Sequence, residues 1–315
     1  MSLIEDAVAR LAEGRPPGGV TPSAAPSVMP ADGSRVADAA RVVYSLKPSV
    51  VQDPDRGAAS GNAQADGGQQ PGAASFGSTV ELPEAKLKAA GLLTPSSRAN
   101  ATGHEFRVIK APILEKAFGS REPRLANARR VVVTSAVAGE GKTFCAINLA
   151  ISIAAASNRS VLLIDADVAK PAISRHLGLE PGPGLIDLLT RREHDPHKLI
   201  LQTDLPGLAV LPAGRPEAHA GEYLATREMS SLLDRLSADL AQFLIVIDTP
   251  PLLAVTETRA LVQQAGQTLM VVSAGATSRA LLDAALATVA GASDISMVLN
   301  KLPEGRSPFG AYYEY

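Results

Sequence analysis

Residues 131–143, VVVTSAVAGEGKT, constrain the fold of this chain more than any other stretch. A β-branched run passes straight into a glycine-punctuated turn that ends in Lys142 and Thr143. That is the order of a buried strand, a phosphate loop and the first turn of a helix. Gly139 and Gly141 let the backbone come close and turn its N–H groups inward, so the loop Ala138, Gly139, Glu140, Gly141, Lys142, Thr143 and Phe144 is the candidate cradle for the phosphates of ATP. Lys142 can reach the β- and γ-phosphates as a point charge, and the Thr143 hydroxyl is placed to ligate Mg²⁺. The usual spacing G-x-x-x-x-G-K-[ST] would put glycine at 136, where this chain has Ala136. Context offsets the mismatch, because a strand precedes the loop and a helix-compatible run, 144–156, follows it.

Two further apolar runs supply acids. Residues 161–164 (VLLI) end in Asp165, Ala166 and Asp167, and residues 243–247 (FLIVI) end in Asp248. Both read as buried parallel strands with carboxylates at their carboxyl ends, where open α/β sheets place ligands. Asp248 is the natural partner of a hydrated Mg²⁺. Asp165 and Asp167, two residues apart, would share a face of an extended strand, one holding metal while the other accepts a proton. The plain alternative is that these aspartates only cap strands or the helices after them.

Composition divides the chain. From about residue 14 to 103 it is rich in Pro, Gly, Ala, Ser and Gln with few apolar clusters, so it cannot bury enough surface to offset its conformational entropy. The expected organisation is a largely disordered arm over 1–82, one α/β domain with a mostly parallel sheet over 83–303, and a flexible tail over 304–315. Thirty basic and 32 acidic residues leave a formal charge of −2, which gives no electrostatic footprint for nucleic acid or an anionic membrane. The single Cys145 cannot form an internal disulfide and fits a reducing compartment, read here as the cytoplasm, with the thiol a small core residue. No run of 18 apolar residues occurs, and acids at Glu5 and Asp6 argue against a secretion signal or direct membrane insertion.

Residues 3–11 place Leu3, Ile4, Ala7, Val8 and Leu11 on one helical face, either a docking helix or a frayed terminus. A brief helix is expected over 36–46 and a firmer one over 83–93. Another spans 104–118, with Pro112 kinking or splitting it and Glu105, Arg107 and Lys110 facing outward. Beyond residue 130, strands are predicted at 131–135, 161–165, 208–211, 244–248, 268–272 and 296–300. Helices are predicted at 143–156, 184–189, 229–241, 256–264 and 278–290, an alternation that implies right-handed crossovers. Of five tyrosines, three close the chain: Tyr312, Tyr313 and Tyr315 in GAYYEY. A terminal run has no scaffold to pack against. Such a cluster beside an ATP site points to phosphoryl transfer onto tyrosine, with a sticky tail or an added edge strand as the bland alternatives.

SAVAGEGKT (135–143), LLIDADVAKP (162–171), LIVIDTPP (244–251) and the tyrosine cluster together resemble the bacterial tyrosine autokinases of exopolysaccharide and capsule loci, P-loop ATPases similar to the MinD and ParA group. The resemblance implies that Lys142 and Thr143 bind phosphates and Mg²⁺, that Asp165 and Asp167 orient metal and activate the tyrosine hydroxyl, and that Asp248 holds metal-bound water. It implies that Asn300 lies near the adenine base, that a ring of subunits phosphorylates one another, and that a membrane-embedded polysaccharide chain-length regulator activates the kinase and recruits it to the inner membrane. Three features depart from the pattern: Ala138 replaces a common proline, the subunit-contact motif E-x-x-R-x-x-R aligns on His104, Arg107 and Lys110 and so differs at its first and last positions, and the tyrosine tail is short. A positioning ATPase without kinase activity is the competing class. Its members carry a second lysine early in the phosphate loop, which SAVAGE lacks. A regulatory ATP-binding subunit with a dead site is the third.

Overall fold

The computed structural model describes residues 40–45, 76–94, 101–120, 125–156 and 159–302. In chain order its elements begin with β1 (Ala40–Ser45), β2 (Ser78–Val80), α1 (Glu84–Ala89), α2 (Ala101–Phe118), β3 (Arg130–Ser135), α3 (Lys142–Ala156) and β4 (Ser160–Asp165). They continue with α4 (Ile173–Leu177), α5 (Leu185–Leu189), β5 (Leu201–Thr203), β6 (Leu208–Leu211), α6 (Arg227–Asp239), β7 (Phe243–Asp248), α7 (Thr258–Gln264), β8 (Gln267–Ser273), α8 (Arg279–Ala287) and β9 (Ile295–Asn300). Nine strands form one sheet in the order β1-β9-β8-β3-β7-β4-β6-β5-β2. All neighbours pair parallel except β5 with β6.

Parallel neighbours need crossovers, and the crossover helices cover both faces of the sheet. The strands β8, β3 and β6 are buried along their whole length, and β4 and β7 all but their first residues. Alternation along each strand divides the core in two. Val132, Leu162 and Ile247 face Leu189, Leu233, Leu261 and Leu286 of α5 to α8. Val133, Leu163 and Val246 face Leu87, Ile109, Ile147 and Ile173 of α1 to α4. Each such side chain contributes about 1.5–3 kcal/mol on burial, so the two layers fix which strand ends lie together.

All six predicted strands after residue 130 are present, and each of the five predicted helices there lies within a few residues of its expected bounds. Differences fall elsewhere. The expected helix over 36–46 is instead β1, which pairs in parallel with β9. Its Val42, Val43 and Tyr44 are residues that favour a pleated strand, and β9 offers an edge to pair with. Helix α1 stops at Ala89, because Gly91 takes a left-handed φ of 68° and turns Leu92 and Leu93 into the core. Helix α2 runs unbroken through Pro112. The carbonyl that this proline leaves without a donor belongs to Val108, an exposed residue at 44%, where water can satisfy it. Lys110 does not face outward: it is buried, and its Nζ donates to the Ser152 carbonyl of α3 at 2.6 Å.

The short strands β2 and β5 and the short helix α4 were not anticipated. Strands β1 and β2 fall within residues 1–82. The remainder of that arm, the amphipathic helix over 3–11 and the tail 304–315 with Tyr312, Tyr313 and Tyr315 lie outside the described residues. Among the described residues no helix is long and apolar enough to cross a membrane.

Candidate active site

The central strand β3 delivers its loop between β7 and β8 at the carboxyl edge of the sheet. Within the loop only Gly139 (φ 85°) and Gly141 (φ 95°) have positive φ, so Ala136 stands where a glycine is not needed and is buried in the core. Asn300 Nδ2 donates to the Glu140 carbonyl at 2.9 Å, and Lys301 Nζ donates to the Gly139 carbonyl at 2.6 Å. Both carbonyls are thus drawn toward the end of β9. The amides of Glu140 and Gly141 lie antiparallel to them across the same planar peptides and face the other way, as a phosphate cradle requires. Gly141 has no room for a side chain, since a Cβ would sit 2.1 Å from Asn300 Nδ2.

Several predicted loop residues serve through their backbone. The Glu140 side chain is buried, and its carboxylate accepts from Val137 N at 2.8 Å, from Ser273 N at 3.3 Å and from Thr277 Oγ1. It braces the loop against the end of β8. The Phe144 ring packs against Phe106 with centroids 6.4 Å apart. The Ala138 side chain is exposed. In Asn300 the amide nitrogen serves Glu140 while Oδ1 accepts from Lys301 N at 2.8 Å, so the side chain holds the loop and is committed at both ends.

The acids gather on the other side of the loop. Lys142 Nζ meets Asp167 Oδ2 at 2.6 Å, and the Thr143 hydroxyl donates to Asp248 Oδ2 at 2.6 Å. Asp165 lies beside Asp248 in the β4–β7 register. Asp165 and Asp167 do not share a strand face as expected, because β4 ends at Asp165 and the chain turns, with Lys170 N bonding to the Asp167 carbonyl at 3.0 Å. Asp165 Oδ2 accepts from Ala172 N at 3.1 Å and Ile173 N at 3.0 Å, capping the short α4, while Asp167 goes to Lys142. One acid of the pair therefore has the capping role foreseen as the alternative, and also faces the site.

Burial raises both inner acids. Asp165 is pushed up to about 6 by desolvation, with the Ile173 amide opposing and the charge of Asp167 adding. Asp248 is pushed up to about 7 by desolvation, against the Lys142 charge and the Thr143 hydrogen bond. Asp165 Oδ1 and Asp248 Oδ1 are buried with no hydrogen-bond partner among the described residues. Buried carboxylate oxygens left so are costly, and a cation would satisfy them. Among the described residues no three His, Cys, Asp or Glu side chains form a ready-made metal cage. The donor set suits Mg²⁺, which takes one or two protein oxygens and completes its octahedron with water and phosphate. Cys145, one turn into α3, is fully buried and its thiol is pushed far up by desolvation, an inert core residue as expected.

Sequence reasoning missed Lys301 and Thr277. Neither lies in a motif, and both reach the loop only because β8 and β9 stack beside β3.

The comparisons with known proteins agree with this geometry. The AAA domain family matches residues 128–294. The tyrosine-protein kinase YwqD of Bacillus subtilis (strain 168) is 32% identical over 213 residues, which cover 66% of this chain and 85% of that protein. The tyrosine-protein kinase ptk of Acinetobacter johnsonii is 36% identical over 149 residues, 47% of this chain but 20% of its own length. This chain thus spans about a fifth of the first curated relatives it matches. The crystal structure of the VpsO kinase domain superposes with a TM-score of 0.56 at 29% identity, covering 64% of this chain and 96% of that one. A phosphate loop braced from β8 and β9, three acids at the ends of β4 and β7, and a tyrosine-protein kinase relative matched over 213 residues lead to one conclusion: the chain belongs to the bacterial tyrosine autokinase family of P-loop ATPases.

Proposed function

We propose that this chain is an ATP-dependent protein-tyrosine autokinase that phosphorylates Tyr312, Tyr313 and Tyr315 of a second copy of itself. The observation that carries the reading is the meeting of Lys142, Thr143, Asp165, Asp167 and Asp248 at the carboxyl ends of adjacent strands. The kinase domain would span 83–303 and the acceptor tail 304–315.

Lys142 would exchange Asp167 for a γ-phosphate oxygen of ATP and offset its charge. Thr143 and Asp248 would hold Mg²⁺, which when bound neutralises charge across the β- and γ-phosphates. Asp165, with its proton affinity raised to about 6, is mostly ionised at neutral pH yet more basic than an ordinary carboxylate. It is the side chain to take the proton of a tyrosine hydroxyl, whose own pKa is about 10. The phenol oxygen bonds to the γ-phosphorus, the proton passes to Asp165, and the β–γ bridging oxygen leaves with ADP.

From the family resemblance we carry over a ring of subunits in the cytoplasm and an activating membrane-embedded polysaccharide chain-length regulator that recruits it, with exopolysaccharide export as the process served. Each phosphate adds about −1.5 to −2 charge, so a loaded tail would repel its neighbours and loosen the ring. Because Lys110 is buried against α3, the contact motif presents only His104 and Arg107 at the surface, paired at 3.2 Å.

Purified protein incubated with ATP and Mg²⁺ should gain phosphotyrosine, and Lys142→Met should lose it by about 10²–10³-fold. Mixed with a copy whose three tail tyrosines are phenylalanine, Lys142→Met should itself become labelled. Label confined to chains with both an intact site and an intact tail would refute transfer between copies. ATP hydrolysis with no phosphotyrosine would replace the kinase reading with a positioning ATPase.

A further inference from the structure

A cleft of about 350 Å³, with no residue of the phosphate loop in its lining, lies between the end of α5 and the outer face of α6. Its floor is apolar, made by the buried Leu188, Leu189 and Leu232. Its walls carry more basic than acidic groups. Arg191, Arg227 and Arg235 line it, with His194 at the rim.

The acids present there are already engaged. Glu193 turns its carboxylate onto its own loop, accepting from His194 N at 2.7 Å and Asp195 N at 3.0 Å. Glu228 is met by Arg191 at 3.1 Å. Arg227 and Arg235 make no hydrogen bond or ion pair among the described residues, and they stand two helical turns apart on α6 above the leucine floor. Nothing in the fold requires two exposed, unpaired guanidinium groups along one wall of an apolar pocket. A ligand with an apolar ring and a doubly charged anionic tip would use both: the ring on the leucines, the anion in the bidentate forks of arginine. The volume is at the small end for ligand pockets, enough for one such side chain.

This chain carries a matching segment. Residues 303–315 hold Tyr312, Tyr313 and Tyr315 together with Glu304 and Glu314 against the single Arg306. We propose that the α5–α6 cleft is a phosphotyrosine-binding site whose occupant is the phosphorylated 303–315 segment of a copy of this chain. The inference rests on the reading that this tail becomes phosphorylated. Its consequence is that a modified tail, repelled from the acidic catalytic cluster, is held at a second place on the kinase domain. Loading of the tail would then be sensed by the enzyme that loads it.

A synthetic, fluorescently labelled 303–315 peptide, phosphorylated at all three tyrosines, tests the site without relying on the chain's own kinase activity. Titrated against the full chain, it should bind about tenfold or more tightly than the unphosphorylated peptide. That preference should vanish in Arg227→Glu/Arg235→Glu and weaken in the milder Arg227→Gln/Arg235→Gln, while melting temperature and ADP binding stay as in the parent. Equal affinity for the two peptides would overturn the proposal. So would a preference that survives in both double variants, since the phosphates would then be read elsewhere. Failure of the autokinase reading would show separately, as absence of phosphotyrosine in the intact chain given ATP and Mg²⁺.

Discussion

At the scale of single residues, the buried acids set a cost that the metal-free protein bears. Asp248 is raised to about 7 and Asp165 to about 6, against 3.8 for an ordinary aspartate. The folded chain therefore binds more protons than the unfolded chain between those values. Their effect is most favourable to folding below pH about 4, and it declines as pH rises through 6 and 7. In the presence of a chelator the melting temperature should fall between pH 5 and pH 8, and Asp248→Asn should flatten that fall, which differential scanning calorimetry would record. A variant profile parallel to that of the parent would show that Asp248 is ionised in the metal-free fold. Lys142, Thr143 and all three aspartates were legible in the sequence, because each ends or closely follows an apolar run that reads as a buried strand, or begins the helix after it. Lys301, Thr277 and the inward turn of Lys110 were not. Helical spacing alone cannot say that α3 offers the Ser152 carbonyl where Lys110 points.

At the scale of elements, the loop is a suspended one, held from β8 through Glu140 and from β9 through Asn300 and Lys301. Removing the Thr277 hydroxyl leaves the buried Glu140 Oε1 with only the longer contact from Ser273 N at 3.3 Å. Thr277→Val should cost about 1–3 kcal/mol of stability and raise KM for ATP more than it lowers kcat. Thr277→Ser, which keeps the hydroxyl, should restore both. A steady-state kinetic comparison of the two variants decides it, and equal behaviour would remove the brace from the account. The strands that hold this arrangement were readable because burial on both faces leaves continuous apolar runs. β2 and β5 were hidden for the opposite reason: three residues each, STV and LQT, at the antiparallel margin of the sheet, too short to show a period. β1 was misread because a six-residue run lies where helix and strand patterns are hard to separate.

At the scale of the whole molecule, the connection between β9 and the segment beyond it bears on how the protein is dissected. Lys301 steadies the Gly139 carbonyl at 2.6 Å, and the tyrosines begin eleven positions later. A truncation at Asn300 would remove the proposed acceptors and a strut of the nucleotide site in one cut. Its ADP affinity should drop by about three- to tenfold, whereas the triple Tyr→Phe chain should keep the parent value in isothermal titration. Equal ADP affinity in all three would mean that the strut contributes nothing. Shortened chains are thus poor controls for acceptor loss, and a dead truncation would be wrongly credited to its missing phenols.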